Sequence, residues 1–102
     1  MINGVPIIIC NSYFKRLKGF MFTNQINKIL CFPRCNSIHT FFMFQNIDIV
    51  MADKNNNVLY TYYNVKPWKV ILPKKGVYYT YEFPVNTIKI NVGDKIKRQN
   101  FD

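Results

Sequence analysis

Apolar runs and polar breaks divide the chain into a series of short extended segments. VPIIIC, residues 5–10, is an unbroken apolar stretch rich in β-branched side chains and predicts a buried strand. Past it the spacing changes. Phe14, Leu17 and Met21 recur at helical intervals, with Lys15, Arg16 and Lys18 on the opposite side. Asn11 or Ser12 can cap the first turn, and Gly19 stands where a left-handed residue ends a helix. One short N-terminal helix is therefore expected. NKILCFP, 27–33, predicts a second strand stopped by Pro33. SIHTFFMF, 37–44, predicts a third. Its alternation puts Ile38, Thr40, Phe42 and Phe44 on one face and His39, Phe41 and Met43 on the other.

The strongest local signal follows. NIDIVMA and VLYTYYNV flank DKNNN, which predicts a hairpin, because Asn and Asp tolerate the positive φ that tight turns require. KPWKVILPKKG, 66–76, holds two prolines and predicts an irregular crossing segment. VYYTYEFPV, 77–85, predicts another strand, carrying Glu82. TIKINVGDKIK, 87–97, alternates apolar and polar residues up to a turn at Gly93-Asp94, and RQNFD is expected to be a frayed tail. No internal repeat or linker interrupts the series. The sum is one β-rich domain of the α+β class over 1–102, with its core at about 5–97. The expected architecture is an antiparallel or mixed sheet curled into a small barrel with one helix packed on it.

Composition supports this frame. A chain of 102 residues buries roughly two-thirds of its unfolded surface. With 49% hydrophobic and 19% charged residues it is globular in character, and its 17% aromatics favour strands. The net charge of +9 points to an acidic partner. The excess comes mostly from lysine, however, with arginine only at 16, 34 and 98. Fork-shaped recognition of phosphates and bases prefers arginine. The lysines are widely spread, with one denser patch at Lys66, Lys69, Lys74 and Lys75. A solvated surface is the simpler reading, and nucleic acid is a possible but not favoured partner. Cys10, Cys31 and Cys35 are odd in number and lack CxxC spacing, so reduced, mostly buried thiols are expected. The opening MINGVPIII is too short and lacks the basic flank of a signal peptide or membrane span. A cytoplasmic protein with no membrane contact is the expectation.

Three blocks carry a family resemblance. YFKRLKGFMF is similar to an Arg-x-x-Gly-hydrophobic-Met block. SIHTFFMFQNIDIVMADKNNNVL resembles a strand ending in an aromatic and a methionine, followed by an Asp-containing strand and an acidic turn. YEFPVNTIKINVGDKI resembles a closing Glu-hydrophobic-Pro block with a terminal Gly-Asp. In order and spacing they resemble the bacterial and archaeal family called domain of unknown function 192, from about Val5 to Ile96. Arg16, Gly19, Met21, His39, Met43, Asp48, Glu82, Gly93 and Asp94 stand at its motif positions. The resemblance implies a small β-rich domain and brings no catalytic residue with it. Val85-Asn86 departs from the small residue and glycine usual after the Glu-hydrophobic-Pro block. Asn can take the left-handed turn that Gly would fill.

The candidate chemistry is sparse. Cys31, Cys35 and His39 follow a Cys-x3-Cys-x3-His spacing, with Asp48 as a conceivable fourth ligand. Pro33 interrupts that run, and structural zinc sites use tighter cysteine pairs, so these are weak metal candidates. No cofactor is implied. His39, Asp48 and Glu82 come from three strands that a barrel could gather at one mouth, where a carboxylate could orient the imidazole for proton transfer. Against this, a histidine beside Phe41 and Met43 is commonly a core-edge residue. Asp48 inside an apolar strand needs a partner if buried, and a bidentate Arg16–Asp48 or Arg16–Glu82 pair could tie helix to sheet. Trp68, between Pro67 and Lys69, can stack on a ligand or plug the barrel end.

The best-supported expectation is non-catalytic binding of a small molecule, saccharide or peptide, with Arg16, His39, Asp48, Glu82 and Trp68 as ligand-binding candidates. A small hydrolase or metal-assisted enzyme using His39, Asp48 and Glu82 is the alternative. Nucleic-acid binding through Trp68 and the 66–75 patch is the third.

Overall fold

The computed structural model describes residues 4–11, Gly19 and 26–97. The strands are β1 (Ile7–Ile9), β2 (Ile29–Pro33), β3 (Ile38–His39), β4 (Ile47–Ala52), β5 (Val58–Val65), β6 (Val70–Ile71) and β7 (Tyr79–Pro84). Five form a sheet in the order β1-β2-β7-β4-β5, and β3 pairs with β6 in a separate two-stranded sheet. β1 runs parallel to β2 and all other pairings are antiparallel, so the large sheet is mixed. Among the described residues there is no helix; the helical positions expected over 12–18 and the tail from Arg98 lie outside them.

The expected barrel is not formed. β1 and β5 end the large sheet without pairing to each other. Closure fails because the 37–44 segment, expected as a full strand, spends only Ile38–His39 in pairing and turns at Phe41-Phe42. Thr40 is the cause of the turn. It is buried, and its backbone and hydroxyl are committed to the 66–69 loop, so the chain cannot continue along β6.

Both faces of the large sheet are covered, which explains why every residue of β2 and β4 is buried. One face carries Ile29, Cys31, Val50, Ala52, Tyr81 and Phe83, covered by Ile88, Ile90 and Ile96 of the C-terminal segment. The other carries Leu30, Phe32, Ile47, Ile49 and Met51, against which Met43 and the inner side chains Ile38 and Ile71 of the small sheet pack.

The β4–β5 hairpin is built as its turn chemistry predicts. Asp53 Oδ1 accepts from the N–H groups of Asn55 and Asn57, each at 2.9 Å, and Asn56 takes φ +65°. The Gly93-Asp94 turn docks beside it. Gly93 N donates to Val58 O at 2.9 Å, Val58 N donates to Asp94 O at 2.7 Å, and Asp94 Oδ2 accepts from Asn91 N.

Candidate functional site

The three candidate acid–base residues do not converge. Asp48 lies opposite Phe83 and Glu82 opposite Ile49 in the β4–β7 ladder. Directly opposed residues share a face and neighbours alternate, so Asp48 and Glu82 project from opposite faces. His39 belongs to the separate small sheet. The single mouth expected for these residues therefore does not exist in this fold.

Asp48 is a structural tie. It is 3% exposed. Its Oδ1 accepts from Asn64 N at 2.8 Å and its Oδ2 from Asn86 N at 3.2 Å. Both donors sit in left-handed backbone, Asn64 at φ +56° and Asn86 at φ +63°. The carboxylate thus pins the end of β5 and the exit from β7 together. Asn86 takes the conformation that glycine would supply, so the turn survives the departure at Val85-Asn86. Backbone donors occupy both oxygens where Arg16 had been the expected partner; Arg16 and Met21 lie outside the described residues.

Glu82 is different. It is 2% exposed, and its Oε1 has no hydrogen-bond partner among the described residues. Desolvation pushes its pKa up to about 8, so the side chain is a neutral carboxylic acid at pH 7. Gly19 lies over it. A Cβ there would meet Glu82 Oε1 at 3.4 Å and Phe32 Cζ at 3.5 Å, and Gly19 has φ +50°. The glycine of the first sequence block therefore covers the glutamate of the third.

The accessible chemistry lies on the small sheet. Ile38 pairs with Ile71 and His39 with Val70. The first pair packs inward, so the second faces out. His39 Nδ1 accepts from Phe41 N at 3.2 Å, and its ring stacks on Phe41 with centroids 4.7 Å apart. Trp68 completes the group, 5.6 Å from Phe41 and edge-on to Phe42 at 4.7 Å. Phe42 and Trp68 both hold left-handed backbone, at φ +62° and +66°. This is costly for bulky residues and persists only where surrounding contacts impose it. Even so, Trp68 is 60% and Phe42 43% exposed. Trp68 is therefore no plug of a barrel end.

Thr40 holds this loop in place. Its hydroxyl donates to Lys66 O at 2.7 Å and accepts from Lys69 N at 2.8 Å, while Trp68 N donates to Thr40 O at 3.0 Å. Thr40→Val keeps the shape and removes the hydroxyl, leaving Lys69 N–H without its acceptor. We expect it to lower stability by about 1–2 kcal/mol and to collapse the near-ultraviolet circular dichroism of Trp68. An unchanged spectrum would show that the loop is held by other contacts. Thr40, Phe41 and Phe42 are not among the site residues expected from the sequence; the available signal was a threonine beside the histidine inside IHTFFMF.

The weak metal candidates are not gathered. Cys31 is buried in the large sheet, Cys35 Sγ donates to Ser37 O at 3.1 Å, and the His39 ring lies against Phe41. Among the described residues, no three His, Cys, Asp or Glu side chains are placed to hold a metal ion, and no helix is long and apolar enough to cross a membrane.

Comparison with known proteins places the chain. The profile of the family DUF192, described as "Uncharacterized ACR", matches residues 3–98. The chain belongs to this family. Its curated relatives are archaeal. A UPF0127 protein of Thermococcus sibiricus is 37% identical over 97 residues, covering 86% of this chain and 62% of that protein. A UPF0127 protein of Pyrococcus horikoshii is also 37% identical, covering 87% of this chain and 84% of that one. The chain thus spans under two-thirds of the Thermococcus sibiricus relative's length. Two solved structures share the DUF192 fold. A protein of unknown function from Novosphingobium aromaticivorans matches with TM-score 0.67 and 17% identity, over 78% of this chain and 63% of that one. A candidate transcription regulator from Sinorhizobium meliloti matches with TM-score 0.76 and 16% identity, over 87% and 78%. At such identities the likeness concerns fold alone.

Proposed function

We propose that this DUF192 domain is a non-catalytic binding module whose contact face is formed by His39, Phe41, Phe42 and Trp68. The observation that carries this reading is the pair of left-handed aromatics. Phe42 and Trp68 hold strained backbone while keeping their rings in solvent. The loop contacts that impose this strain do not bury the rings, and presentation to a partner is the use we propose for it. Val70 and Leu72, 54% and 68% exposed, widen the same apolar surface. The separation of His39, Asp48 and Glu82 favours binding over the hydrolase alternative, which needs them within hydrogen-bond reach of one substrate.

Trp68 is the sole tryptophan, so its emission reports directly on this face. We expect at least one member of a panel of soluble oligosaccharides, short peptides and oligonucleotides to shift that emission saturably, with no chemical change in the compound. The shift should be lost in Phe42→Ala. If no compound on the panel shifts it, or if Phe42→Ala leaves the shift intact, the face is not the contact surface.

A further inference from the structure

We infer that the partner of this face is an unpaired strand of nucleic acid, with bases stacked on Trp68 and Phe42 and phosphates drawn by the flanking lysines. The inference rests on the binding role proposed above and adds the class of ligand.

Charge placement is the first argument. Lys66 and Lys69 bracket Trp68 in sequence, both exposed, whereas Lys74 lies further off, its Nζ over the Tyr60 ring towards the start of β5. The described carboxylates are all withdrawn from this face. Asp48 and Glu82 are buried within the large sheet. Asp53 and Asp94 are tied into turns beside Val58, at the far end of β5. That strand is 8 residues long, roughly 25 Å of extended chain, and its other end leads directly into Lys66-Pro67-Trp68. The aromatic end thus exposes lysines and no described acid, the Asp48 bonded to Asn64 N nearby being buried. This complements a polyanion better than a neutral saccharide or a mixed peptide.

Ring geometry is the second argument. Stacking on bases is tolerant of sequence because every base offers a π-face, and it operates beside a basic track that follows the backbone. Rings projecting next to lysines match that arrangement. Lysine in place of arginine speaks against reading of base edges and for attraction to the backbone as a point charge. The lysine-rich charge thus loses its force as an objection, because it argues against sequence-specific recognition only.

The test is fluorescence anisotropy with a labelled oligothymidylate of about 10 nucleotides, a length within the range one small domain covers. Binding should be saturable at about 50 mM salt. If about three phosphates are engaged, it should weaken about 20-fold by about 200 mM. Trp68→Ala should weaken it about 10-fold, the loss of one stacked base. Lys66→Gln with Lys69→Gln should flatten the logarithmic salt slope by roughly 1.4. A duplex of the same length should compete poorly. Four results overturn the inference: no binding at the lower salt, equal binding of the duplex, indifference to Trp68→Ala, or an unchanged salt slope in the lysine variant. If the oligonucleotide fails while an oligosaccharide or peptide still shifts Trp68 emission, the ligand class is wrong and the binding face stands. If none shifts it, both fall.

Discussion

Glu82→Gln should make the protein's stability nearly indifferent to this site's ionisation, and the gain should grow with pH. Burial raises the pKa of Glu82 from 4.5 to about 8 in the folded protein. Below pH 4.5 the carboxyl is protonated in folded and unfolded chains alike and imposes no penalty. Between 4.5 and 8 the unfolded chain releases the proton while the folded chain keeps it, so stability falls as pH rises, by up to about 1.4 kcal/mol per unit. Above 8 the folded carboxylate ionises in an apolar setting, and the loss levels off at about 3–5 kcal/mol. That is a large share of the 5–15 kcal/mol typical of a whole domain. The glutamine variant carries no charge at any pH, and whatever its amide costs is constant. Urea unfolding at intervals from pH 4.5 to 9 should show the variant overtaking the parent as pH rises. Parallel stability profiles would mean that Glu82 finds a partner or water that cancels its desolvation.

Asp48→Ala should cost about 2–4 kcal/mol. It strips the acceptor from two backbone donors, Asn64 N and Asn86 N, each in a left-handed conformation that the carboxylate helps to hold. Asp48→Asn retains one carbonyl oxygen in place of two carboxylate oxygens and should fall between the parent and the alanine variant. The loss should also be local. Asn86 opens the segment whose Ile88, Ile90 and Ile96 cover one face of the large sheet. Amide exchange from Thr87 to Ile96 should therefore accelerate more than exchange in β2. A cost below 1 kcal/mol, or acceleration spread evenly over the protein, would remove Asp48 from this role.

The contrast between these two acids shows what local sequence can encode. The β4–β5 hairpin was legible because its signals are local: two β-rich runs, an Asp that accepts from Asn55 and Asn57, and an Asn at φ +65°. The burial of Asp48 was legible too, since it interrupts an apolar strand. Its relation to Glu82 was not. Whether two residues on different strands share a face depends on register, and a shift by one residue reverses the answer. Barrel closure was misjudged for a similar reason. Alternation specifies a strand but not its neighbour, and nothing in IHTFFMF announces that Thr40 bonds to a loop nearly 30 residues on. Trp68 stood out as a lone tryptophan between proline and lysine. Its left-handed backbone, and that of Phe42, arise from the crossing of two loops and leave no local mark.

The position of β7 has a consequence for the nascent chain. It lies between β2 and β4, with Leu30 and Ile49 both opposite Glu82. Synthesis delivers β1 and β2 first, then the β4–β5 hairpin, and neither half has a direct ladder to the other. Until Tyr79–Pro84 leaves the ribosome, β2 and β4 each present an open apolar edge, and β2 waits about 50 residues for its partner. Pairings that distant are slow to close and leave edges open to wrong partners meanwhile. The two halves therefore stay unjoined, each with an edge open to a wrong partner, until β7 is free to insert between them.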